Sequence, residues 1–497
     1  MFPEMASLEV TRNAVHGSRP PSPVPLGDSD VDVDVDAEGR ATAQSQWGDG
    51  AMANVATAEP VPPNGGYAWV CTFAVFLINA HTWGMSKSWA VIMAQLSAHP
   101  EIIKASHFEF GLVGGLSISQ ALFISPVVTV VRKRIGARWT LLLGTLLIFT
   151  SLLTASFSSQ IWHLVLSQGF CFGWGMGFTY VTASALLPPW FSSRRSLAVG
   201  LATAGSGIGG LIYSIVTDRV IAAWDVGWAY RVLAFAALFA NLVASFLLRD
   251  LNTKPVSTAP RGLRSSSFNP GDFGRVEVLL IVVWGFATEL GYIILLYSLP
   301  IYAASIGLSP AQGSIANALL NLGLAVGRPP LGYFSDTLGR ISMAGATTFL
   351  CAVFCFALWI PAQTFVPLLV FALISGMLCG TFWCTVTPVL AEVVGIGKFA
   401  NTFGVICIGL VLPTTFAEPI AMRLVAGNTD SNRAFIHAQV FAGFMFFIGS
   451  VCLWLLRCWK IFTDVEKRGE SMTTLERQHR YWVSWITPQM LFSRQRV

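Results

Sequence analysis

The stretch GRPPLGYFSDTLGR, residues 327–340, closes a long apolar run with an arginine and two prolines, then adds an aspartate and a Gly-Arg pair. A charge within an apolar run is costly, and a proline cannot donate a helical hydrogen bond. Whether Arg328 lies inside a membrane or inside a soluble core depends on the rest of the chain. Of its 497 residues, 54% are hydrophobic and 11% are charged, about half the charge of an average soluble chain. A soluble chain of this length would divide into two or three domains with polar surfaces. Here the apolar residues come instead in blocks of about 20, enough for a helix to cross a hydrocarbon core about 30 Å thick.

Twelve such helices are expected, at 67–93, 108–131, 139–157, 163–188, 197–223 and 230–248, then 275–302, 311–333, 341–360, 366–392, 399–425 and 435–456. The chain therefore reads as an all-α membrane protein with two six-helix bundles, 67–248 and 275–456, joined by a polar loop at 249–274. Residues 1–66, with GSRPPSPVP and DSDVDVDVDAEG, are too polar and proline-rich to bury a core and are expected to be disordered. They contain no cleavable secretion signal, so the first helix is expected to direct insertion. Residues 457–497 form a C-terminal tail, and its last stretch, LERQHRYWVSWITPQMLFSRQRV (475–497), mixes basic and aromatic side chains and is suited to the cytoplasmic face of a lipid bilayer.

Lys and Arg set the orientation. RKRIGAR (132–138), SSRRS (192–196), Arg340 and Lys398 follow helices two, four, eight and ten, whereas the loops after helices three, seven and nine have neither residue. The positive-inside rule then puts the even-numbered loops and both termini in the cytoplasm. The cell membrane is the expected location, with an organelle membrane as the alternative. All nine cysteines, Cys71 to Cys458, lie within or at the end of an apolar span, so no disulfide framework is implied. There is no Asn-x-Ser/Thr acceptor.

The two halves repeat each other. A shift of about 203 residues sets Gly136 of RKRIGAR on Gly339 of SDTLGR and Gly177 on Gly380, and one residue more sets Gly200 on Gly404. A parallel repeat with its joint in the cytoplasm implies a transporter whose halves rock about a central site.

GYFSDTLGR (332–340) resembles the G-x-x-x-D-x-x-G-R loop of the major facilitator superfamily. NGGYAW (64–69) resembles the D/E-G-G-x-x-W motif that opens the first helix in the monocarboxylate transporter family, and WFSSRRSLAVGLATAGS (190–206) is similar to that family's fifth-helix motif. The tail and the TWGMSKSW stretch are similar to its fungal branch. The resemblance implies that Asp336, Gly339 and Arg340 form a latch at the cytoplasmic helix ends. It also implies that Arg328 binds a substrate anion and that Lys87 handles substrate and protons. Two departures stand out: Asn64 replaces the acid of the opening motif, and Leu324 occupies the place of an aspartate four residues before the arginine. Proton coupling through that acid cannot be carried over, and Lys133 in place of Asp336 makes the latch asymmetric.

The residues support their own reading. Arg328 lies eight residues before Asp336, about 12 Å inside the loop and near the middle of the bilayer. A charge there costs about 2.5–3.5 kcal/mol and is usually matched by a cavity or partner. Its planar fork suits a carboxylate; the alternatives are snorkelling to headgroups or pairing with an acid. Lys87 sits nearer the outer face and could equally snorkel. Glu289, midway along helix seven, is the best remaining acid for proton exchange, or else neutralises Arg328 or Lys87. His81 is either titratable near neutrality or a packed, hydrogen-bonded residue. Glu392 and Glu418, near helix ends, are assigned to interfacial water or the latch. Phe178, Tyr180, Phe382 and Trp383 occupy matching places in helices four and ten and could size a cavity, or simply pack.

There is no HExxH, G-x-S-x-G elbow or Walker lysine. Enzymatic activity, a metal site, a cofactor and a nucleic-acid partner are therefore not expected. The expected function is secondary transport of a monocarboxylate or related small organic anion by alternating access, coupled to protons by symport rather than to ATP. Export of a fungal secondary metabolite is the alternative. From another class, a non-transporting nutrient receptor on the same scaffold would bind its ligand at the same place.

Overall fold

The computed structural model describes residues 62–251, 270–426 and 435–468. Most of the expected tails and the central loop (1–61, 252–269 and 469–497) lie outside the described residues. Regular structure among the described residues is entirely helical. The first six spans are α1 (Tyr67–Ser97), α2 (Phe108–Phe123 with Ser125–Ile135), α3 (Ala137–Ala155), α4 (Ile161–Trp190), α5 (Arg195–Ala223) and α6 (Val226–Leu247). The second six are α7 (Val276–Ser305), α8 (Pro310–Leu338), α9 (Arg340–Trp359), α10 (Phe365–Val394), α11 (Ile396–Val425) and α12 (Ile436–Arg468). Ten of them are long and apolar enough to cross a membrane, or eleven when α2, bent by 46°, counts as one span. The twelfth, α8, is 29 residues long, but Gln312, Asn317, Asn321, Arg328 and Asp336 dilute its apolar content.

Local chemistry sets the ends. Ser106 with Glu109 and Ser309 with Gln312 form capping boxes at the starts of α2 and α8, satisfying first-turn N–H groups reciprocally. Gly136 and Gly339, paired by the internal repeat, have φ of 85° and 107° and make the tight reversals from α2 to α3 and from α8 to α9. A π-helical turn at Ala80–Gly84 and a break at Lys87 re-aim the second half of α1.

The halves meet along α5 with α8 and α2 with α11. At the first contact hydrogens replace side chains: a Cβ on Gly200 would lie 2.5 Å from the Arg328 carbonyl oxygen, and one on Gly332 would lie 2.3 Å from the Ser196 carbonyl oxygen. Two boundaries differ from expectation. α12 continues helically to Arg468, about three turns past 456, and Lys460 pairs with Asp464 one turn apart within that extension. At the other end of the chain, the Asn64 amide donates to the Trp190 carbonyl at 3.1 Å, so the end of the segment expected to be disordered is held against the α4–α5 loop.

Candidate functional site

A cavity with about 550 Å³ of empty space, part of it open to solvent, lies between the halves. Asn79, Trp83, Ser86 and Lys87 of α1, Tyr180 of α4 and Thr203 and Ser206 of α5 line one side; Glu289 and Tyr292 of α7, Arg328 of α8 and Trp383 of α10 line the other.

Arg328 is 3% exposed, so it does not snorkel. Its Nη1 donates to the Thr203 carbonyl and to Ser206 Oγ, each at 2.5 Å, across the boundary between halves. Gly380 leaves room for the guanidinium, since a Cβ there would stand 2.9 Å from Nε and Nη2. The helical pattern of α8 continues through Pro329 and Pro330. Lys87 likewise turns inward: Nζ donates to Asn321 Oδ1 at 2.6 Å, and Gly210 leaves the space that its stem occupies. Among the described residues neither cation forms an ion pair, and Arg328 Nε has no hydrogen-bond partner. Glu289, 2% exposed, has an unpartnered Oε1 and lines the cavity together with Trp383. Two cations and one carboxylate thus face the cavity, an electrostatic arrangement that favours an anion.

The aromatic expectation divides. Tyr180 and Trp383 reach the cavity, with ring centroids 5.8 Å apart, and Trp83 joins them at 5.2 and 5.4 Å. Phe178 and Phe382 do not line it. Phe178 packs on Gly144 of α3, and Phe382 packs on Gly285 and, at 4.9 Å, on Trp284 of α7. Phe178 is two residues, more than half a turn, from Tyr180, and Phe382 is one residue, about 100°, from Trp383, so each is directed away from the ring that lines the cavity. A smaller cavity of about 260 Å³ shares Asn79, Tyr180, Thr203 and Trp383 with the first and continues to Ser184 and Thr387. His81 is packed: its Nδ1 lies 2.8 Å from the Leu77 carbonyl and its ring meets Tyr213 edge-on.

Toward the Asp336 end, the Asp336 carboxylate accepts from the backbone amides of Ser196 and Leu197 at 3.0 and 2.9 Å, in the first turn of α5. Arg340 bridges Asp336 Oδ1 at 3.3 Å and Glu392 at 3.4 Å, and donates to the Ser192 carbonyl at 3.0 Å. Asn64 accepts from the Ser192 amide at 2.7 Å, so it serves the loop although it is not an acid. In the first-half copy, Lys133 donates to Asn401 at 3.3 Å, linking α2 to α11.

Sequence reasoning missed Trp83, Gly210, Asn321 and the acceptors Thr203 and Ser206. Asn317 and Asn321 were the available signal, being two amides one turn apart in an otherwise apolar stretch.

The Major Facilitator Superfamily profile matches residues 68–315 and, in a second segment, 281–495. The chain is 31% identical over 409 residues to "Probable transporter MCH2" of Saccharomyces cerevisiae, covering 81% of this chain and 85% of that one. It is 25% identical over 394 residues to the "Fujikurins efflux protein" of Gibberella fujikuroi, covering 79% and 83%. In fold it matches the proton:xylose symporter XylE with a TM-score of 0.62 at 15% identity, over 78% of this chain and 95% of that one.

Proposed function

The chain belongs to the Major Facilitator Superfamily and is a multi-pass transmembrane transporter, and on that premise we propose that it moves a monocarboxylate or related small organic anion by proton-coupled alternating access. The observation that carries this reading is the pair of buried cations, Arg328 and Lys87, facing one cavity with neutral acceptors and without an ion pair among the described residues. Burying uncompensated positive charge is unfavourable, and a bound carboxylate removes that penalty. The unused Arg328 Nε lets the guanidinium engage a carboxylate while Nη1 keeps its bonds to α5. Tyr180, Trp83 and Trp383 offer apolar surface to the rest of the substrate.

Glu289 supplies the coupling in this reading. A proton on its free oxygen leaves the loaded cavity closer to neutral, and a neutral cavity can be occluded at lower cost than a charged one. Asp336, Gly339 and Arg340 hold the end that the positive-inside rule assigns to the cytoplasm, with the termini on that side of the cell membrane. Export of a secondary metabolite is the second reading, favoured by the three aromatic rings around the cavity and by the efflux protein among the relatives.

The test is uptake of labelled lactate by proteoliposomes with and without an inward proton gradient, comparing native protein with Arg328→Gln. Gradient-driven uptake that Arg328→Gln abolishes in folded protein is the expected result. No uptake under any gradient would refute the small-anion reading and leave metabolite export.

A further inference from the structure

Lys87 and Arg328 are both held by neutral groups, yet only Lys87 is held by a side chain that one atom would turn into a counter-ion. Its Nζ lies 2.6 Å from Asn321 Oδ1. The Asn321 Nδ2 donates to the Asn317 carbonyl at 3.0 Å, within its own helix. That second bond orients the amide, because the flipped arrangement would set its NH₂ against an ammonium. Asn321 is 2% exposed and lies behind Lys87, two helical turns from Arg328 along α8. Gly210 of α5 completes the pocket: a Cβ there would fall 2.7 Å from Lys87 Cδ and 3.2 Å from Asn321 Oδ1. Three helices from two halves therefore converge on one amide–ammonium bond.

We propose that Asn321 is a positioning residue that aims Lys87 into the cavity while leaving its charge unneutralised, and so sets the preference of the site for anions. The inference rests on the organic-anion reading above. An amide oxygen satisfies one of the three ammonium donors and contributes no charge. The ammonium consequently still requires an anionic partner, which the cavity side admits. A carboxylate in the same place would supply that partner permanently. Substrate would then have to displace an intramolecular competitor.

The substitution Asn321→Asp makes that change with almost no change of shape. The experiment measures KM and turnover for labelled lactate in proteoliposomes, together with the melting temperature of the purified protein, for native, Asn321→Asp and Asn321→Ala chains. An intramolecular carboxylate acts at an effective concentration of millimolar or above, so Asn321→Asp should raise KM about tenfold or more. Its melting temperature should not fall, because the new acid is paired. Asn321→Ala removes the acceptor that aims Lys87 and retains the charge, so its KM should rise less than that of Asn321→Asp while turnover falls. A native KM in Asn321→Asp, or a parallel loss of turnover and melting temperature in both variants at unchanged KM, would overturn the assignment and make Asn321 a packing peg. If Asn321→Asp fails to fold, an Asn321→Ala KM equal to the native one, with that of Lys87→Met raised, would equally overturn it, because Lys87 would then be aimed without the amide. Absence of lactate uptake by the native chain would instead refute the organic-anion reading, and the role of Asn321 with it.

Discussion

Replacing Gly200 with alanine should open the Asp336 end of the transporter. The added Cβ would lie 2.5 Å from the Arg328 carbonyl oxygen and 3.3 Å from Gly332 Cα. Ordinary contact begins at 3.4 Å, so α5 and α8 must part by about 0.9 Å, and the obstacle is backbone that cannot rotate aside. The same movement stretches the 3.0 and 2.9 Å bonds from Ser196 and Leu197 to Asp336 beyond useful length. Overpacking of this kind costs about 1–3 kcal/mol, and a lost hydrogen bond to a charged group about 1.5–3 kcal/mol. Even the lower ends together give about 2.5 kcal/mol, roughly a 60-fold shift away from the closed form. Lys133 and Asn401, 3.3 Å apart across α2 and α11, report closure at this end. With both replaced by cysteine, crosslinking by a short bismaleimide should fall by at least about tenfold when Gly200→Ala is added. Unchanged crosslinking at an unchanged melting temperature would refute the reasoning, because the close approach would then carry no weight in closure.

Two further substitutions separate coupling from closure. Glu289→Gln keeps the size and hydrogen-bonding ability of the side chain but removes its proton exchange. Accumulation of lactate under an inward proton gradient should drop to the level without a gradient, while exchange of labelled for unlabelled lactate persists; retained accumulation would exclude Glu289 as the coupling group. Leu197→Pro deletes the amide that donates to Asp336 at 2.9 Å, at a first-turn position of α5 where proline is tolerated. Loss of one hydrogen bond to a carboxylate, about 1.5–3 kcal/mol, should lower the Lys133–Asn401 crosslinking rate about tenfold with little change in melting temperature. Native crosslinking in this variant would show that the bond does not bias closure.

The long helices were legible because hydropathy over about 20 residues is a direct consequence of bilayer thickness. Even α8, diluted by polar residues, has an apolar run long enough at 311–333 to be read as a span. Which face of each helix looks inward was less legible. Lipid and helix neighbours are similarly apolar, so the periodicity that orients a helix in a soluble protein is weak here. That is why Tyr180 and Trp383 were grouped with Phe178 and Phe382, which point into neighbouring helices. Arg328, Lys87 and Glu289 stood out because each is an ionisable group in an apolar span. Their neutral partners did not: a backbone carbonyl such as that of Thr203 has no sequence label, and the pairing of Lys87 with Asn321 spans 234 residues. The break and π-turn in α1 that aim Lys87 inward also have no proline to announce them.

Asp336 grips main-chain amides rather than side chains. The receiving half of that contact is therefore indifferent to which side chains stand at positions 196 and 197, provided each keeps its N–H. Mutational drift in the first turn of α5 can alter charge, length of side chain or recognition by other molecules without unfastening the closed end. Change at Asp336 has no such freedom, so the two sides of one contact evolve under unequal constraint.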